Sequence, residues 1–185
     1  MQRLPHARPS GSLPAAQARR SRSLRRLQSH SLSGESHILK IIAFVDGACR
    51  GNPGPASFGV HMRKEDGEII EICGFLGTTT NNVAEYAGLL EALSTAQSEG
   101  ATDVEIVSDS LLLVQQMLGK YRVKHPNLLP LYERAKSMMR HFPKFKIRHT
   151  LRAGNKDADR LANAALDRPD RTLNDRWVER HRVDS

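Results

Sequence analysis

Four carboxylates fall where regular elements should begin or end. Asp46 follows the apolar run Ile38–Val45, Glu85 lies in the first turn of an expected helix, Asp109 closes a short apolar run, and Asp159 opens the last helix. Each has an ordinary reading. Asp46 suits an Asx-turn, Asn82 and Glu85 have capping-box spacing, Ser108 or Asp109 suits an N-cap, and Asp159 complements a helix dipole. Brought to one edge, however, such acids repel and hold protons unless a cation neutralises them. Hard oxygen ligands of this kind suit Mg²⁺ or Mn²⁺. Four of them are enough for a pair of ions, the arrangement used to cleave phosphodiesters.

The elements around these acids are expected to place them together. A strand over 38–45 stops at Asp46, and a loop rich in Gly and Pro (Gly47, Gly51, Pro53, Gly54, Pro55) follows it. Strands over 56–63 and 68–75 flank the turn Lys64-Glu65-Asp66-Gly67, which makes a three-stranded meander. The run Thr78-Thr79-Thr80-Asn81-Asn82 announces a helix that buries Val83, Ala87, Leu90 and Leu93 and ends near Gly100. A strand over 103–108, helices over 110–118 and 127–141, a strand over 145–150 and a helix over 156–166 complete the pattern. The order βββαβααβα predicts an α/β domain with a five-stranded sheet of mixed direction. If the first and fourth strands are parallel neighbours, Asp46 and Asp109 lie about 4.8 Å apart at adjacent carboxyl ends, the edge at which open α/β sheets bind ligands.

Composition narrows the class. With 185 residues the chain suits one domain plus tails, and no apolar run reaches the length of a membrane-spanning helix. Cys49 and Cys73 are the only cysteines, too few for a disulfide framework or a zinc site, so a reducing cytoplasmic setting is expected. The net charge of +8 is uneven: residues 1–37 hold seven arginines and one acid, and residues 38–185 carry only +2. Residues 1–37 therefore read as a disordered basic extension. It has three readings: dispensable sequence, a nucleic-acid-binding arm or a transit peptide. The folded domain is expected over 38–168, followed by a charged tail over 169–185. A Walker-type phosphate loop is excluded, since the Gly-rich segment lacks Gly-Lys-Ser/Thr.

At this level of detail the chain resembles the type 1 ribonuclease H family. Asp46-Gly47-Ala48-Cys49-Arg50-Gly51-Asn52-Pro53-Gly54 is similar to its first motif and Thr80-Asn81-Asn82-Val83-Ala84-Glu85 to its second. Ser108-Asp109-Ser110 is similar to the third, and Asn155-Lys156-Asp157-Ala158-Asp159-Arg160-Leu161-Ala162 to the fourth. The resemblance implies a ribonuclease H-like α/β fold with helices on both faces of the sheet. It also implies a metal-dependent endoribonuclease that cuts the RNA strand of RNA–DNA hybrids and leaves 5′-phosphate and 3′-hydroxyl ends. Asp46 would bridge two Mg²⁺ or Mn²⁺ ions. Asp159 would complete the ion on the attacking-water side, and Glu85 and Asp109 the ion on the leaving-oxygen side. Gly47, Cys49, Gly51, Asn52, Thr80, Asn81 and Asn82 would contact the hybrid, with double-stranded RNA as a further candidate substrate and a monomer as the working unit.

The sequence also departs from the family pattern. Only Gly119–Pro126 separates two helices where many bacterial members insert a basic handle, so the chain looks more like the archaeal-type branch. Lys120, Arg122 and Lys124 offer a small basic patch there. Leu111 stands where a glutamine often contacts substrate. A mobile histidine precedes the fourth motif in many members; His149 has the spacing but is expected inside a strand, which leaves Arg152 as the candidate for that electrostatic role. Two alternative readings compete: another nuclease of this fold, such as a resolvase or integrase-like enzyme, and a noncatalytic hybrid-binding module. The first does not share the GNPG loop, and the second should lack one of the acids.

Overall fold

The computed structural model describes residues 38–168 and 170–183, so the expectation for residues 1–37 lies outside the described residues. Six strands and four helices follow one another as β1 (Lys40–Cys49), β2 (Gly54–Lys64), β3 (Glu68–Thr79), α1 (Asn81–Ser98), β4 (Asp103–Ser108), α2 (Leu111–Met117), α3 (Leu129–Met139), β5 (Lys144–His149), α4 (Lys156–Asp167) and β6 (Arg176–Arg182). The sheet order is β5-β4-β1-β2-β3-β6. β1 is parallel to β4 and β4 to β5, whereas β2, β3 and β6 are antiparallel to their neighbours. No helix among the described residues is long and apolar enough to cross a membrane.

The period-2 pattern of β1 explains the layering. Ile41, Ala43 and Val45 are fully buried in one core with Leu89 and Leu93 of α1 and Leu113 of α2. Each of these side chains except Ala43 contributes roughly 1.5–3 kcal/mol by leaving water. The intervening residues face the layer of α4, which packs on β2, β1 and β3. Asp46 belongs to this second set by parity.

Three expectations are corrected. The sheet has six strands, not five: residues 176–182 carry no apolar alternation, yet they pair with β3 from Glu68↔Arg182 to Gly74↔Arg176. Ion pairs to Glu91, Glu68 and Glu99 hold this strand, so its partners lie far away in sequence. The first strand does not stop at Asp46: its ladder with β4 ends at Val45↔Ser108, but its pairing with β2 continues to Cys49↔Ala56 and carries the strand on. The cap of α1 is Thr80, whose hydroxyl accepts from the Val83 N–H; Asn82 and Glu85 therefore form no capping box.

Candidate metal centre

The β1–β4 ladder ends at Val45↔Ser108, so Asp46 and Asp109 are the next residues on two adjacent parallel strands. Glu85 comes to them from above. It is the fifth residue of α1, two positions further along the helix than a cap at Asn82 would place it, and the helix reaches β1 because position 47 is glycine. A Cβ at Gly47 would stand 2.4 Å from the Glu85 backbone nitrogen and 2.7 Å from the Ala84 carbonyl carbon. Asp159 arrives from the other layer by a similar device. A Cβ at Gly59, the register partner of Asp46, would lie 2.2 Å from the Ala158 carbonyl oxygen of α4. Two glycines thus let two helices converge on one carboxylate.

One carboxylate oxygen from each of Asp46, Glu85 and Asp109 lies within 4.8 Å of the others. Asp159 stands apart from this triple and is paired with the Arg152 guanidinium. All four acids line a cleft of ≈ 380 Å³ together with Gly47, Cys49, Asn81 and Arg152. Asp46 is only 6% exposed. Burial first, and then the charges of Asp109 and Asp159, push its carboxyl up to about 8, while Arg152 pulls the other way. Burial, then Asp46 and Asp109, hold Glu85 well above the ordinary carboxylate range. Glu85 Oε2 is buried and finds no hydrogen-bond partner among the described residues. A divalent cation fits this donor set: its charge would offset most of the repulsion among three crowded carboxylates, and the orphaned oxygen would gain a partner.

Asn155 ties the cluster together. Its Nδ2 donates to the Val45 carbonyl at 2.9 Å and to Asp109 Oδ1 at 3.0 Å, which fixes the carboxylate against the strand end. Sequence reasoning placed Asn155 in a motif but gave it no role. Asn163, also on the cleft, donates to the Asp159 carbonyl at 2.8 Å. Its position one turn after Asp159 on α4 was the available signal.

The remaining expected residues divide into two groups. Gly47, Cys49 and Asn81 line the cleft. Asn52 and Thr80 order the start of α1: Asn52 Oδ1 accepts from the Asn81 N–H at 3.1 Å, and Thr80 caps the helix. That leaves the Asn81 side chain facing the cleft, with its Nδ2 3.5 Å from Glu85 Oε1. Gly51 takes the positive φ of 87° in the exposed loop, and Asn82 is exposed on the first turn of α1; neither lines the cleft. Ser110, rather than Ser108 or Asp109, caps α2. His149 is the last residue of β5, with Nε2 3.2 Å from the Asp109 carbonyl, and Arg152 lies in the short turn beyond it.

Comparison with known proteins adds three observations. The profile of a family described as reverse transcriptase-like matches residues 44–165. Among curated proteins, the chain is 43% identical over 131 residues to the bifunctional protein Rv2228c of Mycobacterium tuberculosis, covering 70% of this chain but 36% of that protein. It is 41% identical over 129 residues to ribonuclease HI of Halobacterium salinarum, covering 69% of this chain and 65% of the relative. The chain therefore spans about a third of the length of the first of these relatives and about two thirds of the second. Among solved structures, LC11-RNase H1 in complex with RNA/DNA hybrid superposes with a TM-score of 0.64 at 40% identity, over 69% of this chain and 96% of that one.

Proposed function

Because the chain belongs to the type 1 ribonuclease H family, we propose that it hydrolyses the RNA strand of RNA–DNA hybrids at the acid cluster, leaving 5′-phosphate and 3′-hydroxyl ends. The observation that carries this reading is the convergence of Asp46, Glu85 and Asp109, with one buried Glu85 oxygen left without a partner. Asp46 and Asp159 would hold one ion, and Asp46, Glu85 and Asp109 the other, as Mg²⁺ or Mn²⁺. Divalent cations bound there lower the pKa of water and offset charge growing on the phosphate.

The chain's own residues supply position and charge. Asn155 holds Asp109 at the lining of the cleft. Arg152 pairs with Asp159 and presents its own positive charge at the rim, where it can balance the phosphate as the strand arrives. Discrimination of RNA from DNA needs a reader of the 2′-hydroxyl. Asn81 is suited to that role, because the Asn52 and Thr80 hydrogen bonds fix the helix start that carries it. Gly47, Cys49, Gly51 and Asn82 complete the proposed contact surface, Gly51 and Asn82 from its outer rim. We take the working unit to be a cytoplasmic monomer, in keeping with two free thiols, Cys49 and Cys73. Double-stranded RNA is the second substrate to examine.

The test is a substrate panel. The purified chain with Mg²⁺ or Mn²⁺ is expected to cut labelled hybrid on its RNA strand only, and to lose that activity with EDTA or with Asp46→Asn. Hybrid left intact under both metals would overturn the reading. A cut double-stranded RNA would widen the substrate range without changing the chemistry.

A further inference from the structure

The two helical layers are joined to the sheet by different means. α1 docks through large apolar side chains such as Leu89 and Leu93. Apart from Leu161 and Leu166, the buried face of α4 is alanine: Ala158, Ala162 and Ala165. Beyond the small apolar contact of Leu161 and Ala165 with Cys73 of β3, its links to β2 and β3 are polar. The Ser57 hydroxyl donates to the Ala162 carbonyl at 2.6 Å. Glu71 Oε1 accepts from Arg160 Nη2 at 2.6 Å and from His61 Nδ1 at 3.0 Å. Arg63 Nε donates to His61 Nε2 at 3.0 Å, which assigns the ring proton to Nδ1, and Arg63 Nη2 lies 3.5 Å from Asp157.

His61 and Glu71 are only 4% and 9% exposed. A network that buries a carboxylate and an imidazole against one half-exposed arginine is a poor way to gain stability, since well-packed apolar residues hold a helix as well or better. What it supplies is a defined register, which an alanine face on a glycine does not. The tethers fall at Asp157, Arg160 and Ala162, on both sides of Asp159. Gly59, on which α4 rests, is the register partner of Asp46.

We propose that the His61–Glu71–Arg160 network is a positioning device for Asp159, setting the rotation and height of α4 so that this acid meets Asp46 across Gly59. The three residues touch neither substrate nor cation; they act through the helix. The inference rests on the reading of the four acids as the cleavage site. It predicts a variant that keeps the fold and loses the site, which a purely structural network would not produce.

The variant is His61→Leu/Glu71→Leu/Arg160→Met. It is expected to fold with a melting temperature at or above that of the unmodified chain. Calorimetric titration with Mn²⁺ in the absence of hybrid should show one of two binding events weakened by about 10-fold or more, the range for lost outer-sphere support. Hybrid cleavage should show kcat reduced to a similar degree with KM unchanged, whereas the single substitution Glu71→Gln, which keeps an acceptor for both donors, should retain most of both. A folded triple variant with unaltered Mn²⁺ binding and kcat overturns the proposal. If the triple variant does not fold, Arg160→Met carries the same test with the same two outcomes, because that side chain is half exposed. An unmodified chain that binds Mn²⁺ yet leaves hybrid intact overturns the proposed activity alone, and the Mn²⁺ titration still decides the positioning role.

Discussion

Asp46 is held at a cost that pH reveals. Its carboxyl stands at about 8 in the folded chain against an ordinary 3.8, so between those values the native state keeps a proton that the unfolded chain has released. Stability then falls as pH rises through this window, because the native state binds more protons than the unfolded one. Glu85 acts in the same direction. In EDTA the melting temperature is expected to fall from pH 5 to pH 8, Mg²⁺ or Mn²⁺ should restore it at pH 8 more than at pH 5, and Asp46→Asn should flatten the dependence while abolishing cleavage. A metal-free melting temperature that is level or rising over this range would show that the acids do not crowd one another. Arg152 and His149 make a second contrast at this scale. Arg152 is paired with Asp159, whereas His149 faces a backbone carbonyl. Arg152→Ala is expected to lower kcat by about 10-fold or more, as loss of a charge-stabilising donor does, and His149→Ala to leave it near its starting value. Single-turnover cleavage of hybrid by the two variants separates these roles.

Elements bring the acids together through backbone contacts that side-chain patterns do not describe. Gly47→Ala would drive a methyl group into the Glu85 amide, and relief requires α1 to lift from β1. Overpacking of this kind costs about 1–3 kcal/mol, and the lift carries Glu85 away from Asp46. The expected result is a lower melting temperature together with weaker Mn²⁺ binding; weakened stability with intact binding would show that the helix yields elsewhere. This dependence also marks how far the sequence could be read. Asp46, Glu85, Asp109 and Asp159 were legible because each sits at a change of periodicity, and the element order followed from the same changes. The extension of β1 to Cys49 was hidden because Gly47 on one strand and Gly54 and Pro55 on the other read as loop residues, although all three lie within the paired strands. Thr80 was passed over for Asn82 because a capping box is a local pattern, and the choice between adjacent caps is made by where the helix docks. Asn155 was silent because its partners, Val45 and Asp109, are 110 and 46 positions away. β6 was silent for a related reason: an edge strand secured by ion pairs needs no apolar face.

The molecule as a whole is asymmetric in charge and in its margins, and its two ends call for opposite experiments. At the carboxyl end, β6 lies beyond the segment matched by the family profile, yet it completes the sheet. Arg180 reaches both Glu68 and Glu99, which also share Lys64, and all three of those partners are largely buried. Trp177 extends the apolar floor beneath α4 through Cys73, Leu161 and Ala165. Truncation after residue 168 leaves two glutamates with one cation between them and uncovers the β3 edge, so the melting temperature should fall by roughly 5–10 °C. The site residues all precede the cut, and kcat at low temperature should persist. At the amino end, residues 1–37 bring seven arginines to a chain that otherwise carries only +2. Their removal should leave kcat unchanged, because every acid of the site lies between Asp46 and Asp159. The informative readout is hybrid affinity against salt concentration, which measures the phosphate contacts released. A shallower slope after removal assigns the segment as a nucleic-acid arm, and an unchanged slope assigns it no part in binding. A loss of kcat would show instead that the site extends beyond the four acids and the elements that carry them.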